Sequence, residues 1–258
     1  DLGQEPTSFH NVDLIDPFAV ADLIAKIEPH IILHYAADTF VPPSSDNPYL
    51  YACDNPKMVL NLINAIRLVK RHHRGYDPIL FVPSSLEVYG TQFETEEQYR
   101  RATTDEKGIW PAVLYENGEF LPEIPLKENN RLRPSSFYAI GKCMIENVAN
   151  YSYRKYGIRT LVVRCCNQTG VGRLPNFAET SFALQTGLIL AGYLPPLIKH
   201  GNLQPVRDFL DYRDAVKAHF ALVCCAISGR LDYGIPINLA SGVGHSIGDI
   251  LDFYVSTA

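Results

Sequence analysis

No CxxC pair occurs among the six cysteines, which stand at 53, 143, 165, 166, 224 and 225, and the adjacent pairs 165–166 and 224–225 do not form a stapling framework. They read as buried thiols of a protein in a reducing compartment. The histidines at 34, 72, 73, 200, 219 and 245 show no metal-ligand spacing, so no metal site is expected. A basic excess is missing too: 23 Lys and Arg against 28 Asp and Glu give a formal charge of -5. That balance keeps a protein soluble but does not suit non-specific nucleic-acid binding, so nucleic acid is not an expected partner. No apolar run approaches the roughly 18 residues of a membrane span. The opening DLGQEPTSFHNVDL lacks the basic start and apolar stretch of a signal peptide. The expectation is a soluble cytoplasmic protein without a membrane partner.

What is present is enough for a large core. The chain has 258 residues, 47% of them hydrophobic, and a polypeptide of that size buries roughly 70–75% of its extended surface on folding. Residues 16–27 place apolar side chains at helical spacing behind Asp16 and Pro17, a cap followed by a first-turn proline. IIL at 31–33 reads as a short buried strand, and a helix follows from about 56 to 72. The apolar run ILFV then leads into SSLEVYG, whose serines and glycine end a strand. Helix, apolar strand and small-residue strand end in repetition indicate α/β layering around a parallel sheet. Residues 91–136 break this rhythm with Pro111, Pro122, Pro125 and Pro134, and the NG of VLYENGEFLP signals a hairpin. A helix from about Tyr138 to Lys155 is stopped by Gly157, and RTLVVRC follows as a strand. Helices near 176–191 and 213–227, a strand at INLAS and a serine-capped last helix complete the reading.

Two groups could carry chemistry. Tyr138 and Lys142 are four residues apart in a helical pattern, so both leave one face. An ammonium near a phenol favours phenolate and lets it exchange a proton with a sugar oxygen, although the same spacing suits an ordinary helix-surface contact. Ser85 and Glu87 follow ILFV, where parallel α/β sheets open their ligand crevice. The hydroxyl there can bond a reacting oxygen and the carboxylate can act as a base; equally, a serine at a strand end can cap its own backbone.

SSLEVYG together with Tyr138-Ala-Ile-Gly-Lys142 resembles the extended short-chain dehydrogenase/reductase superfamily of nucleotide-sugar enzymes. The resemblance implies a Rossmann-like α/β fold, a parallel sheet with helices on both faces plus a smaller mixed α/β substrate-binding region. Residues 1–165 would form a partial dinucleotide-binding domain with an insertion at 91–125. Residues 166–258 would mostly form the substrate region, some segments returning to the first domain. It implies catalytic roles for Ser85, Tyr138, Lys142 and, as an auxiliary, Glu87, around bound NAD or NADP. HYAAD at 34–38 is similar to the family's strand-end segment beside the cofactor, which brings in His34, Ala36 and Ala37 with Ser84. Asn55 matches a helix asparagine of the family, and NVDLIDP places Asp13, or else Asp16, near adenine.

The second half is similar to GDP-4-keto-6-deoxy-mannose reductases and GDP-mannose 4,6-dehydratases. RCCNQTGVGR puts Asn167, and GNLQPVRDFLDYRDAVKAHFAL puts Arg207, on positions that contact the sugar nucleotide. The implied partners are a nucleotide-diphosphate sugar, GDP-linked, and a second copy of the chain, packed through the helices that carry Asn55 and Tyr138. Met144, Ile145 and Val148 suit that interface and the sheet-facing stripe alike. The implied reaction is reduction of a 4-keto-6-deoxy sugar, with NADPH favoured. A dehydratase or epimerase is the alternative enzyme, and a sugar-nucleotide-binding regulatory subunit the alternative without catalysis. Leu86 stands where related dehydratases carry a polar or acidic residue. No GxGxxG or GxxGxxG occurs, so the phosphate loop and first strand are expected upstream of residue 1, and the sugar-binding tail beyond residue 258.

Overall fold

The computed structural model describes residues 8–39, 46–105, 115–116 and 118–257. Pro111, one of the prolines of the expected break in rhythm, and Asn117 of the expected hairpin signal lie outside these. The chain divides into two compact units, Asp1–Val163 with Asp232–Ile237, and Arg164–Leu231 with Asn238–Ala258.

The first unit is a layered α/β structure. Asp16 caps α1 (Pro17–Ile27) by accepting from the amides of Phe18 at 2.9 Å and Ala19 at 3.2 Å. β1 (Ile31–Leu33) leads through a π-helical turn, Leu50–Asp54, into α2 (Asn55–His72) and β2 (Ile79–Ser85). A 3-10 turn (Leu86–Tyr89), α3 (Glu96–Asp105) and the hairpin β3 (Tyr115–Glu116) and β4 (Glu119–Phe120) come next. α4 (Phe137–Tyr156) and β5 (Arg159–Cys165) follow, and the sheet runs β1-β2-β5-β8, with β8 at Pro236–Leu239. β1 and β2 are parallel, Ile31 opposite Ile79 and Leu33 opposite Phe81. Val20 and Ile24 of α1, Val59, Ile63 and Ile66 of α2 and Ile145 of α4 meet Leu80 and Val82 of β2 in one apolar cluster. Their spacing along each helix supplies the inward stripe, and alternation along β2 sends every second residue toward it.

Three expectations are corrected. IIL is not a buried strand: Ile31 is 37% and Leu33 53% exposed, because among the described strands β1 pairs only with β2 and only Ile32 faces the helix cluster. The cysteines are not uniformly buried either. Cys166 is, Cys53 is exposed, and the other four are half-buried, because neighbouring residues point to opposite sides of their elements. Finally, Met144, Ile145 and Val148 do not share one task. Ile145 enters the core and Val148 packs against it, whereas Met144 faces outward at 43% exposure. The excursion after the 3-10 turn contains the expected hairpin, with Tyr115 opposite Phe120, and also a helix, α3, that its polar sequence did not advertise. Tyr99 of α3 meets Phe93 edge-on at 5.4 Å and packs at a tilt against Phe120 at 6.2 Å. Both Arg133 Nη atoms donate to the Glu123 carboxylate at 2.8 Å and tie the excursion to the segment before α4.

The second unit holds β6 (Asn167–Thr169), α5 (Ala178–Leu190), β7 (Val206–Asp211), α6 (Tyr212–Ile227), β9 (Gly244–Ser246) and α7 (Ile247–Thr257). β6 and β7 are parallel, with Asn167 opposite Phe209, and β7 and β9 antiparallel, with Arg207 opposite His245. Ser246 and Asp249 cap α7 reciprocally, amide to side chain in both directions at 2.8 and 2.9 Å.

Gly141 decides how near α4 comes to the π-helical turn. A Cβ there would stand 2.0 Å from the Tyr51 carbonyl oxygen, a backbone atom that has no side-chain freedom to yield. Gly141→Ala is expected to cost about 1–3 kcal/mol through forced separation of the two segments. Urea denaturation checks this as a lower midpoint at unchanged slope.

Candidate active site

Ser136 starts α4 by accepting the Ala139 amide at 3.1 Å, which puts Tyr138 and Lys142 in the first two helical turns. Both are buried, at 8% and 5% exposure. The Lys142 ammonium donates to the Pro83 carbonyl at 2.8 Å and lies 5.6 Å from the centre of the Tyr138 ring. The pair is thereby held at the carboxyl end of β2, the strand end that also carries Ser84, Ser85 and Glu87. Tyr51, on the π-helical turn, meets Tyr138 edge-on at 6.5 Å. Burial, with the Asp38 carboxylate adding to it, pushes the Tyr51 phenol up from its ordinary value.

Ser85 is buried and its Oγ accepts the Glu87 amide at 3.2 Å, so it caps the 3-10 turn and presents its hydroxyl from that position. The proton on that hydroxyl remains for donation, and the cap and the proposed contact with a reacting oxygen are compatible. Glu87 is half-buried. Ser84 is turned inward and donates to Glu146 Oε1 at 2.5 Å.

His34 extends β1 by giving its amide to the Phe81 carbonyl at 3.1 Å, and its imidazole is buried. Burial first, then the Lys142 charge, lower its pKa to about 4, which leaves the ring neutral at physiological pH. Ala36 is exposed and Ala37 half-buried in the segment that follows. Asn55 clasps this segment. Its amide donates to the Asp38 carbonyl at 2.9 Å and its oxygen accepts the Asp38 amide at 3.1 Å, fixing the strand-end loop to the start of α2. Asp13 is exposed and accepts the Ile15 amide at 2.9 Å, whereas Asp16 is spent on the α1 cap. In the second unit Asn167 is half-buried on β6, and Arg207, on the adjacent β7, is exposed.

Two contributors were not found in the sequence. Asn61 donates to the carbonyls of Leu14 and Ile15 at 2.8 and 3.0 Å, holding the segment that carries Asp13. Glu146, buried, receives Ser84; its spacing of four residues past Lys142 was the available signal. Among the described residues no group of three or more His, Cys, Asp or Glu could hold a metal ion, and no helix is long and apolar enough to cross a membrane.

A family model described as GDP-mannose 4,6 dehydratase matches residues 2–107 and 118–256. The chain is 25% identical over 249 residues to the GDP-6-deoxy-D-mannose reductase of Pseudomonas aeruginosa, covering 96% of this chain and 69% of that protein. It is 28% identical over 254 residues to the UDP-glucose 4-epimerase of Mycoplasma genitalium, covering 95% and 65%. Among solved structures, RMD from Pseudomonas aeruginosa complexed with NADPH superimposes with a TM-score of 0.74 at 25% identity, over 94% of this chain and 69% of that one. The chain therefore spans 65–69% of the length of these relatives.

The neutral His34 makes stability depend on pH in one direction. Its folded pKa of about 4 lies below the ordinary 6.5, so the unfolded state takes up the proton first as pH falls. The contribution is complete above about 6.5 and is lost toward 4; a shift of that size corresponds to on the order of 3 kcal/mol. His34→Gln, which has nothing to protonate, should flatten the profile of unfolding free energy between pH 7 and 4.5. A variant as acid-sensitive as the parent contradicts the assignment.

Proposed function

The chain belongs to the GDP-mannose 4,6 dehydratase family, and from that premise we propose that the protein is an NAD(P)-dependent enzyme that reduces the C4 ketone of a nucleotide-linked 4-keto-6-deoxy sugar. The observation that carries this reading is the buried Tyr138–Lys142 pair, anchored to the Pro83 carbonyl at the carboxyl end of β2. Its likeness to the GDP-6-deoxy-D-mannose reductase supports a GDP-linked sugar, and the NADPH in the solved RMD structure supports NADPH as the cofactor.

The donor set fits the nicotinamide-ribose end of such a dinucleotide. A phenol, an ammonium, a serine hydroxyl and a neutral imidazole stand at the carboxyl ends of the neighbouring parallel strands β1 and β2, where open α/β sheets take their ligands. The 258 residues contain no glycine-rich loop to cradle the diphosphate. When bound, NAD(P)H supplies a hydride. Tyr138 delivers the proton to the C4 oxygen, Ser85 donates a hydrogen bond to that oxygen, and Lys142 holds the ribose and keeps positive charge beside the phenol. His34, Ala36, Ala37 and Asn55 shape the cofactor side, with Ser84 turned inward to Glu146 behind it; Asp13 takes the adenine end, and Asn167 and Arg207 take the sugar nucleotide. A guanidinium suits paired phosphate oxygens.

The half-buried Glu87 favours a second reading, 4,6-dehydration. Elimination needs a base for the C5 proton and an acid for the departing C6 hydroxyl. Glu87 can be the base, but Leu86 brings no acid, and reduction needs neither. We also propose a homodimer through the outer face of α2 and α4, where Leu60 is 46%, Met144 43% and Tyr151 51% exposed.

In the full-length protein, Tyr138→Phe should lower kcat by about 10²–10⁴-fold with GDP-4-keto-6-deoxy-mannose and NADPH, read as loss of absorbance at the nicotinamide band. Far smaller changes in KM are expected. A Tyr138→Phe variant as active as the parent overturns the reading.

A further inference from the structure

Glu146 and Ser84 are buried, at 6% and 3% exposure, and joined at 2.5 Å, within the range of hydroxyl-to-carboxylate bonds. Their position matters more than their strength. Ser84 shares the helix-facing side of β2 with Leu80 and Val82, and Glu146 follows Ile145, which packs in the same cluster. One residue earlier on β2, the Pro83 carbonyl takes the Lys142 ammonium at 2.8 Å. Two consecutive residues at the strand end are thus stitched to two consecutive turns of α4, Pro83 to Lys142 and Ser84 to Glu146.

A single bond between a strand and a helix leaves the helix able to rotate or slide about it. Two bonds one helical turn apart remove both freedoms, since they act at different heights along the helix axis. Ser85 is the next residue on the strand and Tyr138 lies one turn before Lys142, so the double stitch sets the register between these two. Resting on the function proposed above, we propose that Glu146 is a positioning residue: through the Ser84 hydroxyl it holds Tyr138 and Lys142 in register with Ser85, without touching substrate or cofactor. Misplacement of reacting groups by about 1 Å is enough to cost roughly 10²-fold in rate.

The test uses the full-length protein as parent, Ser84→Ala, Glu146→Ala, Glu146→Gln, the Ser84→Ala/Glu146→Ala double variant, and Tyr138→Phe as reference. Ser84→Ala removes one hydroxyl and keeps the fold measurable even where Glu146→Ala does not accumulate. Ser84→Ala and Glu146→Ala should each lower kcat by about 10–100-fold while KM for the nucleotide sugar stays within about 3-fold. Glu146→Gln, whose amide oxygen can still accept the serine proton, should recover kcat to within about 3-fold of the parent, and the double variant should be no worse than the poorer single one. Without cofactor, amide hydrogen exchange at residues 84–87 should quicken by about 10-fold or more in Ser84→Ala. Parental kcat in Ser84→Ala and Glu146→Ala, with Tyr138→Phe inactive, overturns the positioning role alone, as does a Glu146→Gln variant as impaired as Glu146→Ala. Full turnover by Tyr138→Phe overturns the functional reading on which the role rests.

Discussion

A lysine ammonium at 5% exposure must be hydrogen-bonded where it lies, because an unpaired buried charge costs several kcal/mol. For Lys142 the acceptor is the Pro83 carbonyl, and much of the first unit is arranged to bring the two together. A proline within a sheet strand normally breaks a ladder. Here the rungs between β1 and β2 end at Leu33 and Phe81, two residues before Pro83, so its missing amide interrupts no rung of that pair. Gly141, one residue before Lys142, lets α4 settle against the carbonyl of Tyr51. The same approach brings the Tyr51 ring against Tyr138 and leaves no space for a side chain between the segments.

The consequences of this buried charge extend across the strand ends. Lys142 adds to burial in keeping His34 neutral, so the end of β1 contributes a polar but uncharged ring near the Lys142 ammonium. Asn55 then holds the following loop through both hydrogen bonds to Asp38, which ties the start of α2 to the same edge. An edge held by backbone clasps around a buried ammonium is suited to orienting a ligand by hydrogen bonds. The excursion after β2 is tied down independently, by the Arg133–Glu123 pair and a small aromatic cluster around Tyr99.

Local rules carried much of the reading from sequence. Asp16 and Pro17 at one helix start, Gly157 in the left-handed region at φ 63 at another helix end, and the pairing of Tyr115 with Phe120 that the NG signal predicts all follow from backbone chemistry within a few residues. That Tyr138 and Lys142 share one face was legible because a helix repeats its face every turn, whereas their catalytic role is what the family resemblance implies. What escaped notice depends on partners distant in sequence. The exposure of Ile31 and Leu33 reflects what lies beside β1, which three apolar letters cannot announce. Ser84 and Glu146 are 62 residues apart, and a glutamate in a helix reads as a solvated surface residue until the strand end opposite it is known. α3 escaped because its polar, charged face resembles a loop in composition, while its anchor is the single aromatic Tyr99.

The central claim is that Tyr138, Lys142 and Ser85 serve net reduction of a nucleotide-linked ketosugar. It is tested most directly by following the hydride. The full-length protein is incubated with GDP-4-keto-6-deoxy-mannose and NADPH deuterated at nicotinamide C4, and the sugar product is examined by NMR and mass spectrometry. Reduction predicts one deuterium per product molecule, at sugar C4. Turnover that leaves the sugar unlabelled, as an internal oxidation and return of hydride would, contradicts the account.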